Sequence, residues 1–260
     1  MRECEIGNFP TCSFQFQEAL NTLATNLTFA GADIKKILIT SCNASEGKSL
    51  ICMNLLRTIA QLGHKVILVD ADLRQSQNNQ SYDIVFKKEE GEGLAHYLAG
   101  RCEAEDIQYG TNIPNAFYVP IGRMVSNAVH LMGSDRLGMI LDSFAQSYDY
   151  VLVDTPPVGL VIDAAQAARR CDGTLLVVQF DKVSRSKLRS VSNQLAAAGS
   201  PVLGTVLNNV PAEGIEAGYY FGRYYGYGYG YGYGIGKKRK KGFFGKKKEK
   251  QEDENPDTRP

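Results

Sequence analysis

A chain of 260 residues has room for one α/β core and a tail. Hydrophobic residues at 43% and charged residues at 22% are ordinary for a globular protein, which excludes collagen-like, fibrous and wholly disordered chains. The formal net charge of +1 hides an uneven distribution: residues 237–250 hold nine basic residues and one acid, the last ten residues hold four acids and one Arg, and residues 1–236 hold 23 acids against 19 basic residues. The six cysteines form no CxxC pair and the three histidines stand apart, so zinc-ligand spacing is absent and reduced thiols fit best. No stretch approaches the ~18 consecutive apolar residues of a membrane span, and the N-terminus lacks the apolar core of a signal peptide. The chain therefore reads as cytoplasmic, reaching the inner face of the plasma membrane only peripherally.

In chain order, residues 1–13 read as an extension, and residues 14–29 as a helix with no strong turn signal before Gly31. Short β-branched runs at 36–40, 66–70, 117–120, 150–154, 174–179 and 203–208 read as buried strands. Apolar residues at three and four spacing over 50–62, 135–147, 163–170 and 184–198 read as helices. Strand and helix alternate, which builds a mostly parallel twisted sheet flanked by helices on both faces. The domain is expected over 14–210. Beyond it, 211–260 reads as a disordered tail with a Tyr/Gly cluster at 219–234 and a basic run at 237–250, because Gly at nearly every second position offers no aliphatic partner to offset ordering entropy.

The first long strand, KKILIT, runs into SCNASEGKSL and then a helix, the context a phosphate-binding loop requires. Backbone amides of Asn43, Ala44, Ser45, Glu46, Gly47, Lys48 and Ser49, with Leu50 opening the helix, are expected around the phosphates of ATP; Lys48 Nζ is expected on the β- and γ-phosphates and the Ser49 hydroxyl on Mg²⁺. The signature departs from GxxxxGK[ST] at Cys42, where the leading glycine belongs. A thiol near a helix N-terminus can be acidified into a redox sensor, or Cys42 is a small tolerated substitution. ILVDADLR places Asp70 and Asp72 at the carboxyl end of a strand, where open α/β sheets bind ligands, and YVLVDTPP gives Asp154 the form of a Walker B aspartate. His64, His96 and His130 receive no role.

SEGKS, ILVDADLR, YVLVDTPP and the C-terminal tyrosine cluster together resemble the bacterial tyrosine kinases, or BY-kinases, within the wider group of MinD- and ParA-type P-loop NTPases. The stretches EGLAHYLAG, CDGTLLVVQ and LGTVLNNV extend the resemblance over about residues 14–236. It implies autophosphorylation beside a membrane-spanning polysaccharide co-polymerase or adaptor, with control of capsular or exopolysaccharide synthesis. It also implies Lys48, Asp70 and Asp72 as catalytic residues, Asp70 accepting the tyrosine proton, Ser49, Asp72 and Asp154 around the metal, and Asn208 near the adenine. The phosphoacceptors it implies are Tyr219, Tyr220, Tyr224, Tyr225, Tyr227, Tyr229, Tyr231 and Tyr233. Two departures stand out. Asn21 and Ala24 replace the arginines of a Glu-x-x-Arg-x-x-Arg helix motif that follows from Glu18, so self-association is expected to be weakened or altered, and the proline-flanked motif after the third strand is reduced to SNAVHLM.

Two functions are open on these residues. The first is a kinase whose flexible tail delivers tyrosines to a neighbouring active site. The second is a nucleotide-switched ATPase or weak scaffold that binds ATP and a membrane partner without tyrosine phosphorylation. The tyrosine tract reads as kinase substrate or as a flexible linker, and the basic run as a contact with anionic lipid or a solvated tail; no nucleic-acid role is expected.

Overall fold

A computed structural model describes residues 2–87 and 91–211. The tyrosine cluster and the basic run lie outside the described residues. Residues Met1–Val210 form one unit and Pro211–Pro260 another.

The elements are β1 (Arg2–Ile6), α1 (Phe14–Phe29), β2 (Lys36–Ser41), α2 (Lys48–Gln61), β3 (Val66–Asp70), α3 (Asn78–Ser81), β4 (Ile84–Phe86), α4 (Leu94–Leu98), β5 (Tyr109–Gly110), β6 (Ala116–Val119), α5 (Ala128–Met132), α6 (Asp135–Ser147), β7 (Tyr150–Asp154), α7 (Asp163–Ala168), β8 (Gly173–Gln179), α8 (Arg185–Ala197) and β9 (Val202–Asn208), with a short 3₁₀ turn at Ala104–Asp106. Among the described residues the sheet has nine strands in the order β4-β1-β5-β6-β3-β7-β2-β8-β9. Its pairings are parallel except β1 with β4 and β5 with β6.

The central strands are apolar at nearly every position because helices cover both sides of the sheet. Side chains alternate: Ile37, Ile39, Leu68 and Leu152 pack under α1 and α2, while Leu38, Ile67, Val151 and Val153 pack under α4 to α8. This alternation fixes the site, because Asp70 and Asp154 have the same parity as Leu68 and Leu152 and therefore face α2. They lie opposite each other across the β3–β7 pair.

The first residues differ from the extension expected of them. Arg2–Ile6 pairs with β4 and β5, Cys4 and Ile6 are buried, and Arg2 bonds to Asp106 at 3.0 Å. An alternating run of five residues carries too little periodicity to be seen alone; its partners lie 78 to 107 positions away.

Helix α1 starts where Ser13 accepts the Phe16 amide at 3.2 Å and buries Leu20, Ala24 and Leu27. Ala24 is 1% exposed and packs in the α1–α2 core, whereas half-buried Asn21 donates to Glu18 at 3.0 Å. An arginine at 24 would drive a guanidinium into that core, so restoring both family arginines, the obvious route to stronger assembly, is not available to this fold. We expect Ala24→Arg to cost about 3 kcal/mol or more and Asn21→Arg to stay within about 0.5 kcal/mol, as read by thermal unfolding. Equal melting temperatures for the two variants would contradict this packing.

Candidate active site

The phosphate loop joins β2 to α2, and its shape follows from two left-handed residues, Ser45 at φ 60° and Gly47 at φ 90°. A Cβ at position 47 would lie 2.1 Å from Asn208 Nδ2, so the glycine answers to space as well as to φ. Glu46, 1% exposed, folds back into the loop: its carboxylate accepts the Cys42 amide at 2.8 Å, the Asn43 amide at 3.0 Å and Asn43 Nδ2 at 2.8 Å. The Asn43 amide, expected on phosphate, is therefore committed inside the loop, as is the Glu46 side chain. Amides of the later loop residues and of Lys48 and Ser49, at the start of α2, are left to bind phosphate. Asn208, placed by sequence near the adenine, donates Nδ2 to the Glu46 carbonyl at 3.0 Å, so this amide nitrogen holds the loop.

The loop's first residue is packed rather than reactive. Cys42 is fully buried, and burial with the neighbouring Glu46 charge pushes its thiol up to about 11, the opposite of an acidified redox thiol. The glycine that the motif wants at 42 is unnecessary because residue 42 does not take a positive φ. Close approach occurs instead at Gly159, where a Cβ would lie 2.2 Å from the Cys42 carbonyl oxygen.

Beneath the loop the carboxylates converge. Asp70, 1% exposed, accepts from Ser76 Oγ, from Asn78 Nδ2 at 2.9 Å and from the Tyr118 hydroxyl at 3.2 Å. Burial pushes its carboxyl up to about 7, repulsion from Asp154 adds to the rise, and the Ser76 hydrogen bond opposes it. Burial also raises Asp154, against the pull of the Lys48 charge and the Ser49 hydroxyl. Asn78 bridges the pair, reaching Asp154 Oδ2 at 3.3 Å. Asp72 stands beyond the strand end, half-buried, with Oδ1 accepting the Gln75 amide at 3.1 Å. Its charge still raises both Asp70 and Asp154, and the Lys48 charge opposes the rise at Asp154.

Asp154 Oδ1 is buried without a hydrogen-bond partner, which tests the fit of a divalent cation. An orphaned carboxylate oxygen beside the Ser49 hydroxyl is a hard-oxygen pair suited to Mg²⁺. Among the described residues no cluster of three His, Cys, Asp or Glu side chains could hold a metal unaided.

Residues missed from the sequence complete the site. Tyr118 is fully buried, and its position opposite Leu68 gives it the parity of Asp70. Arg74 donates Nε to buried Asp163 at 2.5 Å and ties the segment after β3 to α7. SNAVHLM supplies α5, and the Val125 amide just before it bonds the Leu73 carbonyl at 3.3 Å. Parity could have flagged Tyr118, but nothing local marks Asp163 as a partner of Arg74.

Residues 34–199 match a family described as AAA domain. The chain is 36% identical over 196 residues to the tyrosine-protein kinase CpsD of Streptococcus agalactiae serotype III (strain NEM316), covering 75% of this chain and 82% of that protein. Its fold is similar to the kinase domain of the Escherichia coli tyrosine kinase ETK, with a TM-score of 0.71 at 29% identity over 84% of this chain and 80% of that one. The septum site-determining protein MinD of Pyrococcus horikoshii OT3, complexed with Mg-ADP, is similar at a TM-score of 0.60 and 26% identity over 69% of this chain and 72% of that one. With a phosphate loop over paired strand-end aspartates and this extent of identity, the chain belongs to the bacterial tyrosine-kinase family, built on the P-loop NTPase fold.

Proposed function

We propose that the protein transfers the γ-phosphoryl group of ATP to tyrosine hydroxyls, chiefly those of its own tract between Tyr219 and Tyr233, and thereby regulates capsular or exopolysaccharide synthesis beside a membrane-spanning adaptor. One observation carries the reading: Asp70 and Asp154 meet on neighbouring strands beneath Lys48 and Ser49. The similarity to proteins named tyrosine kinases supports the activity. Among the described residues no helix is long and apolar enough to cross a membrane, so in this reading the adaptor and the basic run at 237–250 supply the membrane contact.

Each residue has a role that its chemistry supports. Lys48 and the loop amides neutralise and align the phosphates, and a Mg²⁺ ion held by Ser49 and Asp154, with Asp72 near, supplies further charge neutralisation. A phenol of pKa about 10 is a weak nucleophile at neutral pH, and a carboxyl near 7 is matched to receive its proton. The tyrosine oxygen bonds to the γ-phosphorus, the bond from that phosphorus to the bridging oxygen breaks, ADP leaves, and the proton passes to Asp70. Ser76, Asn78 and Tyr118 all donate to Asp70, so an incoming phenol has to take the place of one of these donors.

Incubating the purified chain with Mg-ATP should yield phosphotyrosine located in 219–233, and changing those eight tyrosines to phenylalanine should remove most of it. ATP hydrolysis without any phosphotyrosine would favour the nucleotide-switched ATPase instead.

A further inference from the structure

The first turn of α8 is built against its own electrostatics. A helix N-terminus favours acidic side chains, yet this turn has none and holds Arg185 and Lys187, with Arg189 just beyond. The Ser184 hydroxyl caps the turn by accepting the Lys187 amide at 3.2 Å, and the Lys187 side chain takes no part in that cap. It reaches across to the phosphate loop, where Nζ donates to Asn43 Oδ1. The orientation of the Asn43 amide follows: its oxygen meets an ammonium and its nitrogen donates to the Glu46 carboxylate at 2.8 Å, and the reverse would set like polarity against like at both ends. Glu46 in turn binds the Cys42 and Asn43 amides, and its carbonyl is held by Asn208.

We propose that Lys187 is a positioning residue for the phosphate loop, acting through Asn43 on Glu46 and through Glu46 on the loop backbone. The inference rests on nucleotide binding at that loop, as proposed above. Glu46 is a carboxylate removed from water inside the loop, and a cation one amide away polarises the hydrogen-bond chain that holds it. The loop is thereby folded before a nucleoside triphosphate arrives, and ordering it is not charged against affinity. Sequence reading placed Lys48 on the phosphates of this loop; the structure adds a second cation, which touches the loop's frame.

The test is an equilibrium titration of the full chain with a fluorescent ADP and Mg²⁺, alongside thermal unfolding. Lys187→Met should weaken binding about tenfold, the range of a charge-assisted hydrogen bond, and Lys187→Arg should recover most of it. The melting temperature of Lys187→Met should fall by no more than a few degrees, because removing a cation from the positive end of a helix offsets part of the lost hydrogen bond. Asn43→Ala should weaken binding to a similar degree, and the double variant should bind no more weakly than either single one. Wild-type affinity in Lys187→Met would overturn the proposal. So would losses that multiply in the double variant, since Lys187 would then act on the ligand independently of Asn43, and so would a melting temperature that falls in step with affinity. A folded wild-type chain that binds no nucleotide would overturn the nucleotide site itself, a result distinct from all of these.

Discussion

Lys48→Met should lower ATP-dependent tyrosine phosphorylation by roughly 10³-fold, the scale for deleting a preorganised charge at a transferring group. Methionine keeps most of the side-chain volume in this buried position, so the variant should fold. The electrostatic change is larger than one contact. Lys48 draws Asp154 toward its ionised form against burial, and Asp70 and Asp72 add two more carboxylates to the same space. Without the ammonium these groups repel both one another and the incoming phosphates. Initial rates of phosphotyrosine formation at fixed Mg-ATP measure the effect. Phosphotyrosine surviving undiminished in the purified variant would sink the kinase assignment.

Asp70→Asn should separate stability from activity. The Asp70 carboxyl is raised from its ordinary 3.8 to about 7 in the fold, mainly by burial. The stability contributed by its neutral form is fully present below about 3.8 and is lost as pH rises through about 7. Asparagine offers an oxygen to Ser76, Asn78 and Tyr118 without the charge, and it removes the repulsion from Asp154. The variant should therefore be more stable than wild type at pH 8 by on the order of 2 kcal/mol without Mg²⁺, with the gap closing toward pH 5. Phosphotyrosine formation should fall by about 10²-fold or more through loss of the proton acceptor, with nucleotide binding largely intact. If binding collapses together with activity, Asp70 belongs to the metal or to the framework and the proton goes elsewhere.

The sequence alone was sufficient for the alternation of strand and helix, the helix at α1, the phosphate loop and the two strand-end aspartates that meet. Those features are local: buried strands are continuous apolar runs, helices repeat at three and four, and a phosphate loop needs only a strand, a turn and a helix in succession. Parity within VILVD and YVLVD even settles which face Asp70 and Asp154 take, because side chains alternate strictly along a strand. Tertiary structure decided the rest. Whether residues 2–6 form a strand depends on β4 and β5, and whether Ala24 tolerates an arginine depends on α2. Asn43 and Lys187 lie 144 positions apart, and Asn208 and Glu46 lie 162 apart. Such pairs carry no spacing signal; the order β2-β8-β9 brings them together by setting the ends of those strands, and the start of α8, beside one loop. Glu46 shows the division most plainly, since its place in the loop is legible from SEGKS, while its bonds to the loop's own backbone exist only once the loop has closed around it.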